Sequence, residues 1–172
     1  MMGVNQMIEL KPAQHIFYRN EDHIEDLEFI VLEKYVEYCY CISAAPLKDE
    51  MPFDINNNNE WKTSSLRKYL NEEYILRFNR GDIKRTNDGQ IFLLSKEETM
   101  VYKDILPKYP TFWWTRTTCD SYAHHIWIAS VYGRLFYCPA FHNRGVAPVC
   151  VFNLRNLSIF PERNNIIFES KN

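Results

Sequence analysis

Between Thr117 and Arg144 the chain concentrates side chains that join a ring or a charge to a polar tip: Asp120, Tyr122, His124, His125, Trp127, Tyr132, Arg134, Tyr137, Phe141, His142, Asn143 and Arg144. Such residues give large contact area at low conformational cost, and Tyr, Trp and Arg dominate the hot spots of recognition surfaces. The composition predicts a ligand-facing region over 117–144, with Asp120, Tyr122, His124, Trp127, Tyr137, His142, Asn143 and Arg144 as contact residues. A plainer alternative stands beside it. With 11 Tyr, 11 Phe and 4 Trp in the chain, half of these rings could simply fill an aromatic interior.

Other chemistry finds little support. His124 and His125 are adjacent, so a strand would send their imidazoles to opposite sides, and one metal ion could not easily take both. A zinc site would need Cys119, Asp120, Cys138 or His142 as well, at spacings that match no zinc pattern. There is no G-x-S-x-G elbow, and five glycines make no phosphate loop. We therefore assign no catalytic residue, no metal ligand and no cofactor. The five cysteines form no C-x-x-C pair, which suits a reducing compartment. Cys39 and Cys41 would share one strand face with Cα atoms roughly 6.5–7 Å apart, at the limit for bridging, and read as small buried apolar residues. Cys150, in PVCVF, reads as a buried inert thiol.

These side chains need a scaffold. Residues 27–45 are β-branched and aromatic and are interrupted by Glu33, Lys34 and Glu37, which predicts a hairpin turning near Glu33-Lys34. The Asn-rich tract Asp54 to Trp61 reads as a loop. Leu66, Tyr69, Leu70, Tyr74 and Phe78 recur at helical spacing after Ser64 or Ser65 as N-cap, so one helix, or two abutting near Asn71, follows. Ile91 to Glu98 predicts a short buried strand entering a capping box of Ser95 and Glu98. From Thr115 to Phe160 several short β-type runs predict a small antiparallel sheet with long connections. Ile166 to Phe168 predict one closing strand. Trp113 and Trp114 should point to opposite faces, one into the core and one toward a second layer or solvent. Arg116 would share a face with Trp114, either stacking on its ring or holding a carboxylate. Arg67, close to Glu72 and Glu73, is expected in an internal ion pair.

The chain has 172 residues, enough for one domain that buries about 70% of its unfolded surface without disulfides. Its 20 basic and 22 acidic residues are scattered, which makes nucleic acid and anionic membranes poor partners. The N-terminal segment MMGVNQMIELKPAQ lacks the basic start and the apolar run of a secretory signal, and no stretch approaches the roughly 20 apolar residues of a membrane span. The expectation is a protein that is cytoplasmic as synthesised, unless a phage particle or an exported assembly carries it.

One ordered series of motifs carries a resemblance. It comprises Asn59, Trp61, Ser64, Leu66, Arg67, Leu70 and Asn71, then I-F-L-L-S-x-x-E, then Trp113, Trp114, Arg116 and Thr117, and finally Gly145, Val146 and Pro148. Over roughly residues 27–155 this resembles a bacterial and phage-associated family of domains of unknown function. That family is similar to the C-type-lectin-like group, which includes formylglycine-generating enzymes and the variable proteins of diversity-generating retroelements. The resemblance implies an α+β, C-type-lectin-like fold over 1–172, with N-terminal strands, one or two helices and a small C-terminal antiparallel sheet. It also implies a receptor-type module whose 117–144 region meets a protein or cell-surface ligand. Alternatives are a structural or regulatory protein of a mobile element that acts by protein association, and a divergent oxidase built on a cysteine pair. Trp61, Arg67, Trp113, Trp114, Arg116, Gly145 and Pro148 are its structural positions. Ala147 stands where the family usually has Arg. The E-P-N or Q-P-D and W-N-D clusters of calcium-dependent sugar binding are absent, and Asn153 has no acidic neighbour.

Overall fold

A computed structural model of the chain describes residues 8–20, 22 and 25–171. The N-terminal residues 1–7, on which part of the expectation about a signal segment rests, lie outside that range.

The strands are β1 (His15–Arg19), β2 (Leu27–Lys34), β3 (Tyr38–Ser43), β4 (Met51–Pro52), β5 (Ile91–Phe92), β6 (Trp113–Thr118), β7 (His125–Ala129), β8 (Leu135–Pro139), β9 (Asn143–Arg144), β10 (Val149–Asn153), β11 (Leu157–Glu162) and β12 (Asn165–Ser170). Two α-helices, α1 (Ser65–Glu72) and α2 (Lys96–Val101), lie between β4 and β6. The architecture is α+β, as expected, with strands predominating. A seven-stranded sheet runs β11-β12-β1-β2-β3-β10-β5, a three-stranded sheet runs β6-β7-β8, and β4 pairs with β9.

Side-chain alternation sets the two faces of the large sheet. Ile16, Phe29 and Phe152 sit on the face where Tyr18, Phe78 and Phe168 join them. There Phe29 meets Phe152 edge-on at 5.3 Å, Phe152 meets Phe168 at 5.4 Å, and Tyr18 meets Phe78 at 5.0 Å. Cys39, Cys41 and Cys150 are fully buried, and the Cys39 and Cys41 sulfurs are 3.4 Å apart as free thiols. Burial pushes the Cys41 and Cys150 thiols well above their usual range, so they behave as apolar core atoms.

The hairpin of β2 and β3 turns at Tyr35–Glu37, later than the Glu33-Lys34 position expected. A register shift between Val31 and Glu33 absorbs the charged interruption, and the turn closes with the Tyr35 amide donating to the Tyr38 carbonyl at 2.8 Å.

Helix α1 starts where its cap dictates, with the Ser64 hydroxyl accepting from the Arg67 amide at 3.2 Å, and it buries Leu66 and Leu70. Its break comes at Glu73, not Asn71. The Asn71 carboxamide instead grips the edge of β5: Nδ2 donates to the Ile91 carbonyl at 2.7 Å and Oδ1 accepts from the Ile91 amide at 3.1 Å. The Asn-rich loop is ordered by one buried carboxylate. Asp54 accepts from the amides of Asn56, Asn58 and Ser65 at 2.8, 3.0 and 2.8 Å. At α2 the capping box is formed: the Glu98 amide donates to Ser95 Oγ at 3.0 Å and the Ser95 amide to Glu98 Oε2 at 2.7 Å.

The late strands do not all belong to the small sheet. β10 is inserted between β3 and β5 in the large sheet, and β11 pairs with β12 at its far edge. The reason lies in PVCVF: Val149, Cys150 and Phe152 are fully buried, and a strand covered on both faces belongs mid-sheet. The closing strand over Ile166–Phe168 is β12, which also runs parallel to β1.

Strand β6 joins the two sheets. Trp113 and Trp114 are both buried, the first edge-on to Tyr109 at 5.6 Å, the second against Phe53 at 5.7 Å with its Nε1 donating to the Met51 carbonyl at 2.8 Å. Trp114 and Gly145 are joined through the Trp114 amide and the Gly145 carbonyl at 3.0 Å. A Cβ on Gly145 would lie 2.6 Å from Thr111 Cγ2 and 3.1 Å from the Phe112 carbonyl oxygen. Gly145→Ala is accordingly expected to cost about 1–3 kcal/mol by overpacking, read as a lower denaturation midpoint at unchanged denaturant slope. Ala147 is fully buried in the apolar cluster, where an arginine would carry a charge into the core.

Candidate recognition surface

Strand β7 reads HIWIA, and its alternation buries Ile126 and Ile128 while turning His125 and Trp127 outward. Opposite it, Tyr137 pairs with Trp127 and Cys138 with Ile126, so Tyr137 shares the outer face. The 119–124 loop then folds back, with the Tyr122 amide donating to the Cys119 carbonyl and the Cys119 amide to the His125 carbonyl. Tyr122 thereby stacks on Tyr137 with centroids 4.7 Å apart and planes at 21°. His125 lies 5.5 Å from Tyr122 and 5.9 Å from Tyr137, and Trp127 stands edge-on to Tyr137 at 5.7 Å. Lys96 Nζ sits 4.3 Å over the Trp127 ring.

The four rings thus form one connected aromatic platform, three of them on β7 and β8 and Tyr122 on the loop before β7. Tyr122 and Tyr137 keep 49% and 42% of their surface open to water. A hydrogen bond with Tyr122 holds the Tyr137 hydroxyl above the usual phenol range, so that ring presents a neutral hydroxyl at physiological pH. Such a face offers flat apolar area with polar tips, suited to stacking and hydrogen bonding at once.

The remaining predicted contact residues divide. Asp120 is exposed on the loop beside the platform. His124 does not lie in the strand as expected: it adopts a left-handed backbone with φ 61°, and its Nδ1 lies 2.9 Å from the Asn57 carbonyl oxygen, tying the loop to the Asn-rich tract. Asn143 is exposed, whereas His142 is half-buried with its ring edge-on to Phe141 at 4.7 Å. Arg144 departs most from expectation. Strand β9 pairs it with Met51, its Nη1 donates to the Asn143 carbonyl at 2.7 Å, and its guanidinium lies at Cys138, whose thiol burial pushes up and Arg144 partly draws back down. The arginine is half-buried beside Cys138, with its Nε buried. His125 and Lys96 complete the platform although the contact set omitted them. The i, i+2 spacing of His125 and Trp127 signals the first; nothing local signals Lys96.

The structural positions form a second constellation. Arg116 donates Nη1 to the Leu93 carbonyl at 2.6 Å and to Glu98 at 2.5 Å, and its Nη2 lies 3.2 Å from Asp88. It therefore holds carboxylates, as one alternative had it, and the ring beneath it is Phe92, not Trp114. Burial alone would raise the Glu98 carboxyl, but Arg116 and the Ser95 amide outweigh it and hold the group below the usual range. Arg67 makes no ion pair with Glu72 or Glu73. Its Nε donates at 3.1 Å to the Asp88 carbonyl, which also accepts Trp61 Nε1 at 2.9 Å. Pro148 supplies a carbonyl to the Ser43 amide at 2.8 Å. A cleft of about 330 Å³ lies between Trp61, Asp88, Arg116 and Thr118, and its guanidinium is neutralised by Glu98 and Asp88.

Among the described residues no three His, Cys, Asp or Glu side chains converge as a metal would need, and no helix is long and apolar enough to cross a membrane. No family model, curated protein or solved structure matches the chain.

Proposed function

We propose that this protein is a ligand-binding module of C-type-lectin-like type. In this reading the outer face of the β6-β7-β8 sheet meets a protein or cell-surface ligand through Tyr122, His125, Trp127 and Tyr137, with Asp120 and Asn143 at its rim. The observation that carries the reading is the ring platform itself: four rings linked through Tyr137 on the water side of the small sheet, in the region that the resemblance assigns to the ligand. The α+β layout and the small separate sheet that bears the long 117–144 segment support the same assignment. A diversified variable protein of a phage or mobile element would place its sequence variation there.

The test uses the double variant Tyr122→Ala/Tyr137→Ala. Because both rings are half open, the melting temperature should move by no more than about 2 °C, while binding to an immobilised glycan panel or to whole bacterial cells falls at least about tenfold, the loss of roughly one hot-spot contact. A large drop in melting temperature, or undiminished binding to a target that the wild type captures, would place the rings in the scaffold instead. Sibling copies of the coding sequence next to a reverse transcriptase should differ mainly in codons 120–143.

A further inference from the structure

The three-stranded sheet ends in an open edge, and its chemistry is self-complementary. At the two ends of the β7–β8 pairing the Ser130 amide donates to the Arg134 carbonyl and the Ala140 amide to the His124 carbonyl. Antiparallel ladders alternate, so the residues bonded to β7 are Phe136 and Cys138, and the amides and carbonyls of Leu135 and Tyr137 point away from the sheet. No described residue accepts from or donates to those four groups.

The other edges are closed or blunted. Asn71 grips Ile91 on β5, Trp114 and Arg116 of β6 bond to the Gly145 and Leu94 carbonyls, and β11 carries Pro161, which has no N–H. At β8, by contrast, Phe136 is 45% exposed and stacks edge-on, at 5.5 Å, against Phe112, itself 43% exposed.

We infer that β8 is the association edge of a two-fold dimer, pairing antiparallel with β8 of a second copy about Phe136. In that register Leu135 faces Tyr137 of the other copy and Tyr137 faces its Leu135, so the four free backbone groups of each copy are satisfied by four inter-copy hydrogen bonds. The two Phe136 side chains meet at the axis as a pair about 4.5–5.5 Å apart at Cβ. The same register sets exposed Arg134 of each copy against Cys138 of the other, on the Phe136 face. A net charge of -2 leaves little repulsion to oppose association. Rings exposed to this degree bury on the order of 500 Å² across both copies, in the class of weak, reversible contacts under about 1,200 Å². The product is one continuous six-stranded sheet with two ligand platforms side by side.

Sedimentation velocity of the full chain, from about 10 µM to about 1 mM, the range that a contact of this size calls for, reads the result. The mass should rise from 20.6 kDa toward twice that value. Phe136→Lys should stay monomeric throughout with an unchanged circular dichroism spectrum. Phe136→Cys should form a disulfide-linked dimer on mild oxidation much faster than Tyr132→Cys, a control in the neighbouring turn. A wild type that stays monomeric at the highest concentration, a Phe136→Lys that still dimerises, or equal cross-linking of the two cysteine variants would overturn the inference. Phe136 lies on the face opposite Tyr122, so the outcome is separable from the ligand reading.

Discussion

Replacing Arg116 with alanine is expected to lower the unfolding free energy by about 3 kcal/mol, at the low end for breaking a buried ion pair because Glu98 keeps a third of its surface. Three acceptors lose their donor together: the Leu93 carbonyl, Glu98 and Asp88. The damage reaches α2, because Glu98 is also the return arm of the capping box, and an unpaired carboxylate there loses its fixed position over the Ser95 amide. A guanidinium-chloride titration measures the loss, and amide exchange in residues 96–101 should rise with it. The pH dependence follows from the depressed Glu98 group. Its folded value lies below its unfolded one, so its stabilisation is full above the ordinary carboxylate range and fades as pH falls through the depressed value. Wild type should therefore lose stability on acidification over that interval, whereas Arg116→Ala, already without the pairing, should show a shallower acid slope. An equal slope in both proteins would remove Arg116 as the cause.

Trp114→Ala should be more damaging still, about 3–5 kcal/mol, since a fully buried indole leaves a cavity that its surroundings cannot close. The ring spans Phe53 on one side, and its N–H satisfies the Met51 carbonyl, which would be left without that donor. Trp114→Phe separates the two contributions. It keeps most of the packing and should cost about 1–3 kcal/mol for the orphaned carbonyl and the residual gap. Both are read from denaturant midpoints. If alanine and phenylalanine prove equally harmful, the hydrogen bond outweighs the ring. Because β6 ties the small sheet to the body, Trp114→Ala should also loosen the Tyr122–Tyr137 stack, visible as loss of near-ultraviolet dichroism.

What could be read from the chain alone was mostly local. The capping box at Ser95 and Glu98 and the Ser64 cap were legible because their partners are three residues apart. The missed features depend on contacts between distant segments. β1, HIFYR, is a short strand with polar ends and becomes one because β2 and β12 flank it. The apolar run of β10 reads alike in a small sheet or a large one, and only its burial on both faces decides the matter. Arg67 prefers the Asp88 carbonyl to nearby carboxylates because that carbonyl already anchors Trp61, and no spacing rule contains that information. The platform was half legible: Tyr122, Trp127 and Tyr137 came from composition, but Lys96 arrives from the capping turn of α2. Arg144 was misplaced because its charge suggested exposure, while its β9 pairing draws it beside Cys138.

The parallel pairing of β1 with β12 sets Ile16 against Ile166, one strand in from the β11 edge of the large sheet. A nascent chain emerging from the ribosome would therefore carry β1 and β2 with one flank unfilled until nearly everything after them had been translated. Such long-range closure makes assembly slow and leaves an early hairpin open to the wrong neighbour, and chaperone shelter during synthesis would matter more here than for a protein whose sheet fills in sequence order.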